Sequence, residues 1–316
     1  MSYFIAEIPM GLVYAVLAMG IFISLRVLNV PDLTTEGSFG VGAILGGFAG
    51  VTLGAFFSLP VALAAGAAAG FLTGFMQTKL CIHPVLSGII TMNMLYSVNL
   101  FLIHIATEKI DGVKNTNLNF GKNTIFRILF DAFGISVNLT EGILLKIAIL
   151  CGVAAVLLIL LVWFFSTNTG LAIRATGNNE DMVRASSINV DATKIIAISL
   201  ANACVALSGA VLAQYQGFAD IGSGIGIVVV GLASVIIGEV LFGRRSLSFG
   251  LFSAVLGAVV YRFIIAIVLK IGIFPAFALK LVSSIVVALA LSVPAVKHAL
   301  RLRRRKKQGR KEAASC

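Results

Sequence analysis

A polytopic bundle of about nine transmembrane helices, all-α throughout, is the fold class this sequence predicts. Three observations predict it. Hydrophobic residues make up 59% of the 316 and charged residues only 12%, with a mean hydropathy of +1.04, whereas a water-soluble domain carries about twice that charged fraction. The apolar residues fall in runs of about twenty, the length of a helix crossing the hydrocarbon core. The alternating pattern of ~10-residue strands needed by an outer-membrane barrel is absent, and lipid admits only helices or closed barrels. Eight to ten spans fit the length, and 1–296 forms one transmembrane domain followed by a basic tail, 297–316.

The net charge of +11 does not point to nucleic acid, because much of it sits in the tail: Arg301, Arg303, Arg304, Arg305, Lys306, Lys307, Arg310 and Lys311. Lys and Arg clustered just beyond a last span mark the cytoplasmic side, which places the C-terminus there. Cys81, Cys151, Cys204 and Cys316 have no metal-like spacing, and free thiols are expected, with neither a disulfide framework nor a zinc site. The N-terminus lacks a basic n-region, so the first apolar run reads as a retained span.

In chain order, the first span covers about 8 to 25 and ends at Arg26. RVLNVPDLTTEGSF follows as a polar interruption in which Pro31 breaks helix and Thr34, Thr35 and Glu36 stand at the start of the next one. Spans at about 37–57 and 60–77 carry glycines four apart, Gly42, Gly46, Gly50 and Gly54, then Gly66, Gly70 and Gly74. Each stripe lets another backbone approach closely, which is how helices associate in lipid.

After QTKLCIHP, a span at about 85–104 contains Asn93, Tyr96, Ser97 and Asn99. At 100° per residue Asn93, Tyr96 and Ser97 share a face that Asn99 does not. Polar side chains inside a span face protein or water, so this face either lines a path or makes interhelical hydrogen bonds. Residues 105–141 form a long external loop with an amphipathic patch from Ile125 to Ile135 that lies on the membrane or folds back. The span at about 142–165 ends in Trp163-Phe164-Phe165, an interfacial anchor.

Between that span and the next, at about 195–213, lies a polar loop, 167–194, containing GLAIRATGNNEDMVRASSINVDATK. Its apolar positions are too sparse for a core element, and Thr176-Gly177-Asn178-Asn179 followed by Glu180 and Asp181 reads as a turn feeding a capped helix. A short helix on the aqueous face of a membrane protein is a docking element; the plainer reading is a solvated loop. AQYQGFADIGSGIG then places Tyr215 and Gln216 before a glycine-rich break of the kind that lines a cavity. Spans at about 226–242, 247–268 and 277–294 complete the set. Glu239 is expected to pair with Arg244 or Arg245, and Arg262 to snorkel outward. Nine spans and an internal tail put the N-terminus outside.

No phosphate-binding loop, no H-E-x-x-H, no G-x-S-x-G and no paired carboxylates in neighbouring spans occur. These residues describe a helical bundle with a polar interior path and an aqueous docking segment: a transporter subunit whose energy comes from elsewhere.

PDLTTEGSFGVGA (31–43), LSGIITMNMLYSVNL (86–100), GLAIRATGNNEDMVRASSINVD (170–191) and LANACVALSGAVLAQYQGFADIGSGIGIVVVGLASVIIGE (200–239) resemble the permease subunits of bacterial ABC importers, in the superfamily of branched-chain amino acid and ribose-type permeases. Within it the chain is most similar to the tryptophan/tyrosine-type uptake subgroup. The resemblance implies the ABC importer permease fold in a bacterial cell membrane, no catalysis and no cofactor of its own. It implies that 170–194 is a coupling helix entering a cleft of a cytoplasmic ABC ATPase dimer, with Arg174, Gly177, Asn178, Asn179, Met182 and Arg184 at or near the contact. It also implies a second permease copy, to which the glycine stripes are suited, and an extracytoplasmic substrate-binding protein. Where sugar permeases carry IDLSVGS, this chain has Asp32-Leu33-Thr34-Thr35-Glu36-Gly37-Ser38, which argues against sugar.

The expected function is therefore uptake of a small amino-acid-like solute, with Thr34, Thr35, Glu36, Ser38, Asn93, Tyr96, Tyr215 and Gln216 on the path. The alternative is a secondary transporter or channel without an ATPase, which would favour acids deep in the spans. A membrane-embedded enzyme would need a catalytic constellation that the sequence does not offer.

Overall fold

Small residues decide which helix occupies the centre. The computed structural model describes residues 2–111, 117–120, 124–133, 140–243 and 245–271, with isolated positions from 281 to 292. The longest run of buried positions falls on Val190–Gln216 (α9), where half of the buried residues are Ala, Gly, Ser or Cys. Its 27 residues span about 40 Å at 1.5 Å per residue.

Three helices close around it. Ser2–Phe22 (α1) runs antiparallel to α9: the Ser208 hydroxyl donates to the Val13 carbonyl at 2.8 Å, and Gly20 lies against Ala201 and Val205. Thr35–Thr52 (α2) runs parallel, with Gly42, Gly46 and Gly50 facing Ala206, Ala210 and Gln214. Ser58–Thr78 (α3) runs antiparallel, with Gly66, Gly70 and Gly74 facing Asn202 to Ala206, Ile198 to Ser199, and Ile195. A Cβ on Gly70 would stand 2.5 Å from the Ile198 carbonyl oxygen, so only glycine permits that approach. Both stripes are thus consumed inside the chain by α9 and are not available to a second copy. Gly54 departs from its stripe: at φ +114° it ends α2 and turns the chain into α3.

Pro84–Asp111 (α4) packs on α2 and α3, and Thr140–Ser166 (α6) packs on α1. Ile227–Phe242 (α10) and Leu247–Ile271 (α11) pack on each other and on α1. Seven helices among the described residues are long and apolar enough to cross a membrane, against the nine or so expected. α2 falls short because glycine and its polar first turn dilute it. Most of the segment expected at 277–294 lies outside the described residues, and so does the whole basic tail, 297–316.

The described parts of 105–141 carry secondary structure. α4 continues to Asp111, Asn117–Asn119 (β1) pairs antiparallel with Phe218–Asp220 (β2), and Ile125–Phe133 (α5) folds back so that Phe126 and Phe130 enter the main core. The β1–β2 pair therefore lies at the opposite end of α9 from Asn168–Asn178 (α7) and Glu180–Ala185 (α8).

Two elements are discontinuous within the bundle. α1 ends in a π-helical turn, Ile23–Val27, and residues 28–34 return without helix to start α2 beside the middle of α4, where Gly37 meets Leu95 and Asn99 Nδ2 donates to the Gly37 carbonyl at 3.3 Å. From the other end, residues 217–226 descend until Gly226, at φ +83°, starts α10 at the same depth. There the Glu36 carboxylate accepts the Gly226 amide at 3.0 Å, so the first turn of α2 supplies the negative charge favoured at the N-terminus of α10.

Candidate functional site

The segment 167–189 folds as two short helices with three side-chain caps. Thr167 accepts from the Gly170 amide (3.3 Å), Asn179 from the Met182 amide (3.1 Å) and Asn189 from the Ala192 amide (3.1 Å). Each is a residue type whose short oxygen reaches the orphan N–H groups of a first turn. Asn179 is extended, at φ −159°, and breaks α7 from α8, and Glu180 and Asp181 follow in the first turn of α8. The capped start at Asn179 matches the sequence expectation. Thr176, Gly177 and Asn178 are the last turn of a helix, not a turn between helices.

This unit is anchored on its inner side. The Thr176 and Thr193 hydroxyls are 3.0 Å apart, Lys194 pairs with Glu180 at 2.6 Å, and Asp191 meets Lys79 at 3.2 Å and Arg184 at 4.0 Å. Gly177 lies directly on the Val27 carbonyl, so α7 is seated on the π-turn that ends α1. Outward, Met182 is 64% exposed while Val183 beside it is buried, an apolar knob that the chain itself does not cover. Arg174, Asn178 and Arg184 are exposed as well. Of the six residues expected at a docking contact, Arg174, Asn178, Met182 and Arg184 present side chains, Asn179 shapes the unit, and Gly177 fits it to α1.

The residues expected on a path are distributed over three places. Thr34, Thr35 and Ser38 are fully buried in a hydrogen-bonded network at the α2 start. In it the Ser38 hydroxyl donates to Asn202 Oδ1 (2.7 Å), Asn202 Nδ2 donates to Asp32 Oδ2 (2.6 Å), the Thr34 amide donates to Asp32 Oδ1 (2.9 Å), and the Thr34 and Thr73 hydroxyls are 2.8 Å apart. Glu36 is half-buried and holds α10. Asn93, Tyr96 and Ser97 are exposed on the outer face of α4, whereas Asn99 points inward. Tyr215 and Gln216 line a cavity of about 580 Å³ at the β1–β2 end, where Lys146 Nζ lies 5.3 Å from the Tyr215 ring centre and 5.7 Å from that of Phe130.

Comparison with known proteins decides what this assembly is. The model of the branched-chain amino acid transport system / permease component family matches residues 6–292. The chain belongs to that family. It is an ABC importer permease component, a multi-pass membrane protein and a non-catalytic transport subunit. It is similar to the tyrosine transport system permease protein of Clostridioides difficile, 30% identical over 288 residues, covering 91% of this chain and 90% of that one. An uncharacterized protein of Rickettsia prowazekii is 32% identical over 298 residues, covering 92% and 98%. The ribose import permease protein RbsC of Escherichia coli is 27% identical over 235 residues, covering 74% and 65%. No solved structure matches.

Three long-range contacts of the permease went unread in the sequence. Asp32, taken as part of a polar interruption, is the buried carboxyl that ties α2 to α9, and Asn202 hides within an apolar run. Glu239 pairs at 2.5 Å with Arg26 of the π-turn, because α1 ends beside α10; of the arginines expected as its partners, Arg245 lines the cavity beside α7 and Arg244 lies outside the described residues. Arg262 likewise does not snorkel; it reaches Glu7 on α1 at 2.7 Å. A signal existed for neither pair, since both partners lie more than two hundred residues apart.

Proposed function

We propose that this permease works as a homodimer around a central path, moves a small amino-acid-like solute inward and is driven by a separate cytoplasmic ATPase that engages α7 and α8. The observation carrying the path is the outer face of α4. Asn93, Tyr96 and Ser97 stand exposed in mid-span, and polar side chains at that depth face protein or water, not lipid. A second copy facing α4 supplies both the cover and the aqueous route between them. Met182 and Arg184 on α8, with Arg174 and Asn178 behind them, form the docking face, Asn179 holds α8 in place, and the β1–β2 end receives an extracytoplasmic binding protein. The C-terminus lies on the docking side, with the basic tail in the cytoplasm.

An aromatic amino acid is the solute this reading favours, supported by similarity to a tyrosine transport system permease. One observation favours an ion-coupled carrier instead: Asp32 is a carboxyl buried at mid-depth. Both its oxygens are engaged by Thr34 and Asn202, as suits a structural staple. Reconstitution separates the two. Uptake into liposomes should require the ATPase and ATP, and Met182→Asp should abolish it while the permease still reaches the membrane; uptake by the permease alone under an ion gradient would refute the importer reading.

A further inference from the structure

At the α7 end, the π-turn of α1, the outer side of α7 and the first turn of α11 enclose a cavity of about 710 Å³. Arg26, Arg174 and Arg245 line it, and among the described residues no acid does. Arg26 is held by Glu239, whereas Arg174 and Arg245 form no ion pair with a carboxylate among the described residues. A third source of positive potential is the start of α11, a 25-residue helix whose N-terminus opens here with Ser246 accepting the Phe249 amide at 3.2 Å. Asn178 adds an amide donor. Two separate segments, α7 with Arg174 and the 245–247 start of α11 with Arg245, thus bring positive charge without a carboxylate partner to one half-open volume.

The same cavity has an apolar side. Phe22, Leu25 and Leu171 line it, reaching back along α1 into the membrane-crossing part of the helix, and Leu171 is about half exposed. A small hydrated anion makes no use of such a wall, but a headgroup with an acyl chain behind it does. We propose that this cavity binds the phosphate of an anionic phospholipid from the adjacent leaflet, with Arg174 and Arg245 on the phosphate and the leucines along the chain. Basic pockets between transmembrane helices on the cytoplasmic side recognise headgroups by this combination. The lipid then bridges α7 to α11, fixing the docking unit against the bundle. The proposal does not depend on the ATPase reading, because it concerns charge and shape of the permease alone.

The test is lipid retention by the full-length permease in native mass spectrometry, comparing phosphatidylglycerol with phosphatidylcholine of matched chains. Wild type should retain phosphatidylglycerol preferentially, Arg245→Gln should weaken that retention about fivefold, and Arg245→Lys, which keeps the charge, should preserve most of it. Lys109→Gln, at the far end of α4, should change nothing. Equal retention of the two lipids, or an unchanged Arg245→Gln, overturns the proposal. So does displacement of the lipid by millimolar inorganic phosphate, which would make the site one for a free anion. Loss of ATPase co-purification in Arg245→Gln with lipid retention intact would assign the cavity to a protein partner and overturn it equally.

Discussion

Removing the Asp32 carboxyl tests how the broken start of α2 is held. Asp32→Ala deletes two acceptors at once, those for the Thr34 amide at 2.9 Å and for Asn202 Nδ2 at 2.6 Å. Hydrogen bonds to such a group contribute about 1.5–3 kcal/mol each, and a stranded buried N–H adds its own desolvation cost. Asn202 keeps its second acceptor, the Ile198 carbonyl at 3.0 Å, so the loss should total about 3–5 kcal/mol. Asp32→Asn is the sharper variant. It preserves shape and the acceptor for Thr34 but sets one NH2 against another; relief requires the Asn202 amide to flip, which forfeits Ile198 and turns Ser38 from donor to acceptor. That should cost only about 1–2 kcal/mol. Combining Asp32→Ala with Asn202→Leu should cost less than the sum of the two by about 1–3 kcal/mol, since the shared bond is lost once. Unfolding of the purified permease in mixed detergent and SDS reads all four. If Asp32→Asn is as damaging as Asp32→Ala, or if the double variant is additive, the network does not staple α2 to α9.

Gly70→Ala should destabilise by about 1–3 kcal/mol, because its Cβ meets the Ile198 carbonyl, while Gly152→Ala, with nothing within 4 Å, should be neutral or stabilising by up to ~1 kcal/mol; the same unfolding assay compares them. Arg26→Gln should cost no more than about 1 kcal/mol, given 37% exposure of the arginine side chain, and should weaken further with salt; charge exchange as Arg26→Glu with Glu239→Arg should recover part of the loss. Asn93→Leu together with Tyr96→Phe should lower solute uptake in reconstituted vesicles severalfold with unfolding unchanged, since both side chains are exposed on the folded chain. Gly177→Ala should reduce ATPase stimulation more than it reduces stability, because the new methyl lifts α7 off the Val27 carbonyl.

The sequence made the spans and the capped start of α8 readable for a physical reason: both are local. A run of twenty apolar residues or an Asn before Glu-Asp carries its own structural consequence within one or two turns. The glycine stripes showed that close approach occurs but not with what, and the partner proved to be α9, which presents Ala206 and Ala210 to the α2 stripe and its own backbone near 195–202 to the α3 stripe. Asp32, Asn202, Glu36 and the Arg26–Glu239 pair were beyond reach. Each takes its meaning from an element far away in sequence, and a polar residue in a break looks the same whether it faces water or a buried amide.

On the docking role we propose for α7 and α8, those long-range pairs share a consequence for transport. α2 and α10 both begin at mid-depth, and Glu36 joins them directly. At the other end of α10, Glu239 holds Arg26 on the π-turn, and the π-turn carries α7 through Gly177 on Val27. A displacement of α7 is therefore passed by contact to the end of α1 and by an ion pair to α10, without crossing lipid. Packed helices change arrangement discretely, not by continuous deformation, so a unit already interrupted at Gly226 and at residues 28–34 is where such a change meets least resistance. Continuous helices in the same positions would have to break i→i−4 hydrogen bonds in a medium that offers no replacement; here the breaks exist beforehand, with Asp32 and Glu36 already satisfying the exposed amides.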